Sequence, residues 1–144
     1  MGKTSMNLLF AGLVLAAQAT SHLPADYVDV GPPPEDPIGA TKKAMASILR
    51  DPDSAEYRFL GLHPAKCKAG WAKRNNGWQG WAATIEINGK NAFGGYTGFE
   101  THTVLFVGEG VVQVLDGPNF GPFGPSKGFL GVGGGAGVCK YLDQ

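Results

Sequence analysis

The hydrophobic pattern of the chain changes from helical spacing to strand spacing near residue 52. Apolar residues between positions 37 and 50 share one helical face: Ile38, Met45, Ile48 and Leu49. The opposite face is expected to carry Thr41, Lys42 and Lys43. Asp36 is a typical N-cap and Pro37 a typical first helical residue. Because Pro52 disfavours helical geometry in the residue before it, the helix is predicted to end at residue 50 or 51.

Four later stretches alternate between apolar and polar residues, which is the pattern of half-buried strands. They lie near residues 55–59, at 81–88, at 99–107 and at 111–115. The last two are joined by the short sequence GEG, which is typical of an antiparallel hairpin. The pattern therefore predicts an α+β domain over residues 37–116. In it, one N-terminal amphipathic helix packs on a small antiparallel sheet of about four strands.

The segments on either side of this domain differ from it in composition. Residues 20–36 contain GPPPED, whose consecutive prolines favour extended polyproline structure, so we expect a Pro-rich spacer. Residues 117–144 hold nine glycines and three prolines, which excludes a regular helix or a central strand. This Gly-rich C-terminal segment also carries four apolar side chains, Phe120, Phe123, Phe129 and Leu130. We expect it to be irregular and partly packed, with disorder of its glycine run as the alternative.

Residues 1–19 have the pattern of a secretory signal peptide. Lys3 precedes an apolar run at residues 7–17, and small residues follow at Ala17 and Ala19, where cleavage is expected. The run is shorter than the roughly 20 apolar residues that a membrane span needs, so no stable span is expected after cleavage. The sequence predicts a periplasmic or secreted protein.

Export predicts a disulfide between the two cysteines, because thiols of small domains usually pair outside the cytosol. Cys67 and Cys139 are the cysteines of the chain, and a bond between them would tie the C-terminal segment back to the domain. The alternative is a reactive thiolate at Cys67, favoured by the flanking charges of Lys66 and Lys68.

Charge and histidine positions argue against several kinds of site. Twelve basic and twelve acidic residues balance, which disfavours nucleic acid as a partner. The histidines, His22, His63 and His102, have no second ligand at metal-binding spacing, so we predict no metal and no cofactor. No motif of nucleophilic catalysis is present. A hydrolytic site would have to use Glu86 with Glu100, or His102 with a carboxylate.

The sequence NGKNAFGGYTGF, residues 88–99, follows a predicted strand and combines four glycines with three aromatic rings. One interpretation is structural, since Asn-Gly favours a tight turn and glycines accept positive φ. The other is a recognition loop, because backbone amides, side-chain amides and aromatic rings are typical of glycan and peptide sites. The candidate ligand-binding residues are Asn88, Asn91, Phe93, Tyr96 and Phe99.

Two stretches together, DPDSAEYRF and INGKNAFGGYTGF, give the chain a resemblance over about residues 37–107. It resembles an uncharacterised family of small exported bacterial proteins with a D-P-x-S-A-x-[FY] segment and an N-x-K-N-x-F-G-G-Y-x-G-F motif. The resemblance implies a bacterial envelope or secreted setting and no known activity. The chain has Thr84 and Ile85 where the family carries Cys-Gly, so a disulfide pairing of the family does not transfer.

These observations favour an exported accessory or binding protein of the bacterial envelope without an identifiable catalytic site. Its expected partner is an envelope protein or a glycan, contacted by the loop at residues 88–99. The alternative is a small envelope hydrolase that acts on cell-wall or glycan material through Glu86 and Glu100 or through His102. A structural role for the Gly-rich segment in an assembly is a third hypothesis.

Overall fold

The computed structural model describes residues 28–69, 76–125 and 136–143. These residues form an α+β fold with one α-helix and one antiparallel sheet. The helix α1 is Pro37–Met45, and the strands are β1 Glu56–Cys67, β2 Trp78–Asn88, β3 Glu100–Val107, β4 Gly110–Asp116 and β5 Cys139–Tyr141. Two one-turn 3₁₀ helices lie at Pro52–Ser54 and Gly121–Phe123. The strand order is β4-β3-β2-β1-β5, so the described sheet has five strands instead of about four.

The central strand β2 contributes side chains to two hydrophobic clusters, one on each face of the sheet, since its successive side chains point to opposite sides. On one face Ala83, Ile85 and Ile87 pack in a cluster that also contains Met45 of the helix. On the other face Ala82 packs in a second cluster, formed with Ala65, Cys67, Leu105, Leu115, Phe120 and Cys139. The Gly-rich segment therefore covers the sheet face opposite the helix, through the buried ring of Phe120.

The helix begins at the residue that the sequence indicates, and Asp36 caps it by accepting a hydrogen bond from the Gly39 N–H at 2.8 Å. Two other expectations for this stretch are wrong. Thr41 is fully buried instead of facing solvent, and its hydroxyl donates to the Pro37 carbonyl at 2.7 Å. The helix ends at Met45 and not at residue 50 or 51. Ile48 therefore does not lie on the apolar face of the helix, and it is 68% exposed.

Strand β1 continues through Pro64 to Cys67, well past the stretch that alternation predicts. The Pro64 carbonyl accepts a hydrogen bond from the Leu142 N–H at 2.8 Å, so it points away from β2. In an antiparallel strand the N–H and C=O of one residue point to the same side. The N–H that proline lacks would thus point away from β2 as well, and no hydrogen bond with β2 is lost.

A disulfide joins Cys67 of β1 to Cys139 of β5, as the sequence predicts. The two residues lie opposite each other in the antiparallel pairing of β1 and β5. The pairing of these two short stretches adds a fifth strand to the sheet. The high glycine content of the C-terminal segment does not predict this strand. The alternative of a reactive Cys67 thiolate is excluded in this state because both thiols are used in the bond.

The described end of the Pro-rich segment lies against the domain. The Trp81 indole donates to the Gly31 carbonyl at 3.0 Å, and Pro34 is buried. The Glu35 N–H contacts both carboxylate oxygens of Glu109 at 3.1 Å. The predicted signal peptide, the first residues of the spacer and the glycine run at 131–135 lie outside the described residues. Among the described helices, none is long and apolar enough to cross a membrane.

We predict that the disulfide supplies much of the stability of the domain. It closes a loop between residues 72 positions apart, and in the chain-entropy model such a loop stabilises the folded state by about 4 kcal/mol. The double variant Cys67→Ala, Cys139→Ala should lose stability of this order in urea unfolding. Wild-type protein reduced before unfolding should show a similar loss. An unchanged free energy of unfolding in both samples would contradict this role.

Candidate functional site

The tip of the loop at residues 88–99, here the 88–99 loop, is fixed by hydrogen bonds within the loop. The side-chain oxygen Oδ1 of Asn91 accepts from the N–H of Phe93 at 2.9 Å and from that of Gly95 at 3.1 Å. The Asn91 backbone adds a bond from its N–H to the Gly95 carbonyl at 2.8 Å. Gly94 has a φ of 80°, a conformation that favours glycine. The tip is therefore a compact turn built around the Asn91 amide.

The base of the loop is held by Asn88, whose side chain is only 7% exposed. Its Oδ1 accepts from the Gly98 N–H at 2.9 Å, which links the two ends of the loop. Its Nδ2 donates to Oε2 of Glu56 on β1, also at 2.9 Å. The N–H of Thr97 and its hydroxyl both donate to the Gly89 carbonyl. Both polar atoms of the buried Asn88 amide are thus satisfied inside the protein.

The loop is also attached to the turn formed by DPDS at residues 51–54. The Tyr96 hydroxyl donates to the Ser54 carbonyl at 2.9 Å, and Nζ of Lys90 lies 3.3 Å from Oδ2 of Asp51. The hydrogen bond from Ser54 and, next, that from Lys90 lower the pKa of the Asp51 carboxyl. The charged form is therefore favoured, and the ion pair is lost only as the pH falls through this lowered pKa. The two sequence motifs that carry the family resemblance contact each other directly.

The five predicted ligand-binding residues have different surroundings. Asn88 and Asn91 use their amides inside the loop, and Tyr96 uses its hydroxyl on Ser54. The Phe99 ring lies under the guanidinium carbon of Arg58, 3.5 Å from the ring centroid. The side chain of Phe93, at the tip, is 96% exposed. The structure thus brings four of the five into the support of the loop and presents Phe93 to solvent.

A cleft of about 320 Å³ lies at the base of the 88–99 loop. We call it the His102 cleft. It is lined by the end of α1 and the turn after it, by the base of the loop, and by strands β2, β3 and β4. The lining residues are Met45, Ile48, Leu49, Ile87, Gly89, Lys90, Thr97, Glu100, His102, Val114 and Asp116. Two of the residues considered for catalysis, Glu100 and His102, thus lie in one depression.

His102 is the most enclosed charged or titratable group of the cleft. Its side chain is 12% exposed, and its Nδ1 lies 3.3 Å from Oδ1 of Asp116, whose side chain is 98% exposed. This distance is that of an ion pair, but the contact does not have hydrogen-bond geometry, so Nδ1 is buried without a hydrogen-bond partner among the described residues.

The structure separates Glu86 from Glu100, the two carboxylates considered as an acid and base pair. In the pairing of β2 and β3, Glu86 is opposite Thr101, whereas Glu100 is opposite Ile87. Since Ile87 belongs to the helix face and successive side chains alternate, Glu86 lies on the other face of the sheet. There its Oε2 lies 3.7 Å from the Arg58 guanidinium. The two carboxylates are therefore on opposite faces of the sheet and do not flank one scissile bond.

Asp116 is the residue of this cleft that sequence reasoning does not select. Counting outward from the predicted hairpin turn, where Val107 is opposite Gly110, places His102 opposite Leu115. The structure has an irregularity in the pairing between Leu105 and Phe106, which shifts the register by one residue. His102 is therefore opposite Asp116. The hairpin was visible in the sequence, but the bulge that sets the partner of His102 was not.

No protein-family model, curated protein or solved structure matches the chain. Within the described ranges, no three histidine, cysteine or acidic side chains are grouped in a way that could hold a metal ion. The site therefore offers an exposed aromatic ring at the tip of the loop and, at the base of the loop, a cleft with apolar walls and a charged rim.

We predict that Asn91 keeps the tip of the loop rigid. Asn91→Ala removes the acceptor of two backbone N–H groups, so amide hydrogen exchange at Phe93 and Gly95 should accelerate by about tenfold, equivalent to about 1.4 kcal/mol. Exchange at Val104, in the buried part of β3, serves as the internal reference and should not change.

Asn91→Asp is the matched control because its carboxylate keeps the acceptor. Exchange at Phe93 and Gly95 should then remain close to that of the wild type. Equal exchange in the alanine variant and the wild type would show that the Asn91 amide does not hold the turn.

Proposed function

We propose that this chain is an exported accessory or binding protein of the bacterial envelope and that Phe93 is its main contact with a partner. The observation that carries the proposal is the position of this ring. It is 96% exposed at the tip of a loop whose polar groups bond to one another. Leaving a phenyl ring in water is unfavourable, so a docked state that covers it is stabilised by its burial.

The fixed conformation of the 88–99 loop strengthens this interpretation. Binding by a mobile loop must first offset the conformational entropy lost when the loop becomes ordered. Here the hydrogen bonds of Asn88, Asn91 and Tyr96 already order the loop before any partner arrives. Aromatic residues at the centre of an interface often supply much of its binding free energy. A preordered loop with an exposed phenyl ring has both properties.

A protein partner fits the loop better than a glycan. Recognition of sugar hydroxyls relies on polar groups, and three of the four polar atoms of the Asn88 and Asn91 side-chain amides are engaged within the protein. The Asn88 amide uses both its oxygen and its nitrogen internally, and Oδ1 of Asn91 accepts two backbone bonds. An exposed phenyl ring offers an apolar contact, which a partner protein can match with an apolar pocket.

The envelope setting has two supports. The signal-peptide pattern of residues 1–19 indicates export, and the Cys67–Cys139 disulfide is of the kind that persists in oxidising compartments. The resemblance to a family of small exported bacterial proteins agrees with this location. We therefore place the partner in the periplasm or beyond it.

The proposal predicts that Phe93→Ala abolishes capture of the partner. Immobilised wild-type protein should retain a specific protein from detergent-solubilised envelope extract, identified by mass spectrometry, and Phe93→Ala should retain at least about tenfold less. Val112→Ala is the matched control, since Val112 is also an exposed apolar side chain but lies on β4. It should retain the partner as the wild type does.

Equal recovery by the wild type and Phe93→Ala would overturn the assignment of the loop. Recovery of glycan without a specific protein would overturn the choice of partner class. A melting temperature measured for each variant establishes that the compared proteins are equally folded.

A second candidate function, a small envelope hydrolase acting on cell-wall or glycan material, has one supporting observation. His102 lies 3.3 Å from Asp116 in a cleft that also contains Glu100, so an imidazole and two carboxylates line one depression. This candidate predicts release of soluble fragments from purified cell-wall material that disappears in His102→Gln. Absence of release by the folded wild-type protein would remove it.

A further inference from the structure

We infer that the His102 cleft is a second contact site that takes one basic side chain, a lysine or an arginine, of a protein partner. The inference rests on the proposed binding function and adds the chemistry of the partner. Its support comes from three properties of the cleft, namely its apolar walls, the charges at its rim and its position at the base of the 88–99 loop.

The walls of the cleft suit the aliphatic stem of a basic side chain. Met45, Leu49 and Ile87 belong to the helix-face cluster, and Val114 packs against it. Ile48 extends the apolar wall outward and is 68% exposed. Lysine and arginine bury their methylene groups along such surfaces while the charged end remains near water. A volume of about 320 Å³ is at the small end of ligand pockets, which fits one side chain.

The rim of the cleft has an excess of negative charge. Glu100 and Asp116 both line it, and Asp116 is almost fully exposed. The cation of the lining, Lys90, is paired with Asp51 at 3.3 Å, so its charge is offset from outside the cleft. His102 adds a positive charge only when it is protonated. A guanidinium or ammonium group in the cleft would therefore meet complementary charge, whereas a carboxylate would be repelled.

The cleft lies at the base of the same loop that carries Phe93 at its tip. Gly89, Lys90 and Thr97, at the base of the 88–99 loop, form one wall of the cleft. The same hydrogen bonds that fix the loop, from Thr97 to the Gly89 carbonyl, also fix that wall. We therefore expect one partner to contact both ends of the loop, with an apolar contact at Phe93 and a basic side chain in the cleft.

The inference is tested with small probes on ¹⁵N-labelled wild-type protein. Butylguanidinium and butyrate share an alkyl stem and differ in the sign of their charge. Butylguanidinium should cause saturable shifts of the amide signals of Gly89, Thr97 and Val114, and butyrate should bind about tenfold more weakly. Guanidinium ion without the stem should bind more weakly than butylguanidinium, because it lacks the methylene contacts.

Variants assign the binding to the proposed groups. Glu100→Gln and Asp116→Asn each remove one charge at constant shape and should each weaken butylguanidinium about threefold. Glu35→Gln is the control, since Glu35 lies beside Glu109 at the far end of the β3–β4 hairpin. It should leave binding unchanged. Ile48→Ala shortens the apolar wall at an exposed position, so it should weaken the probe without unfolding the protein.

Equal affinity for butylguanidinium and butyrate, or shifts that do not saturate, would overturn the inference. So would unchanged binding in both Glu100→Gln and Asp116→Asn. Phe93→Ala should bind the probe as the wild type does, because the ring is not part of the cleft. Failure of the probe experiment therefore differs from failure of partner capture, which depends on Phe93.

Discussion

The buried side-chain amide of Asn88 is the junction on which the 88–99 loop depends. It is the last residue of β2, and its two polar atoms bond to the Gly98 N–H and to Glu56 on β1. A buried amide without partners would be costly, so the loop must return to Asn88 in one conformation that satisfies it. The φ of 100° at Gly98 aims its N–H at Asn88. The sheet end and the loop are thus fixed together.

From this junction the chain builds a small unit out of two separate stretches. Tyr96 and Lys90 attach the loop to the turn at residues 51–54, and Asn91 closes the tip. The polar residues of both motifs are mostly occupied in building this unit. Phe93 is 96% exposed at the tip of this unit, which is the reason we propose it as the contact with a partner. The His102 cleft adds charge to that surface.

Much of the fold follows from local patterns in the sequence. The cap at Asp36, the hairpin between β3 and β4 and the pairing of the two cysteines are each determined by nearby residue types or by compartment. The errors arise where a distant contact overrides the local pattern. Strand β1 runs through Pro64 because β5, and not β2, pairs with the edge of β1 at which the proline lacks its N–H. Strand β5 forms because the disulfide and the packing of Phe120 hold it against the sheet.

The candidate site was predictable in its location but not in the role of each residue. A glycine-rich loop with side-chain amides and aromatic rings is visible in the sequence. The sequence does not distinguish an asparagine that binds a ligand from one that closes a turn. In the structure, the Asn91 side-chain oxygen closes the turn. Likewise, a register shift of one residue in the hairpin places Asp116 opposite His102. No residue type near the shift predicts it.

The central claim is that the 88–99 loop is ordered before it binds. Backbone ¹⁵N relaxation of the free protein tests it most directly, through the order parameters of Asn91, Phe93 and Gly95. We predict values of about 0.85, like those of rigid backbone and of β2 and β3 in the same sample. Values below about 0.6 in the loop, with the strands still rigid, would contradict it, because Phe93 would then be carried by a mobile segment.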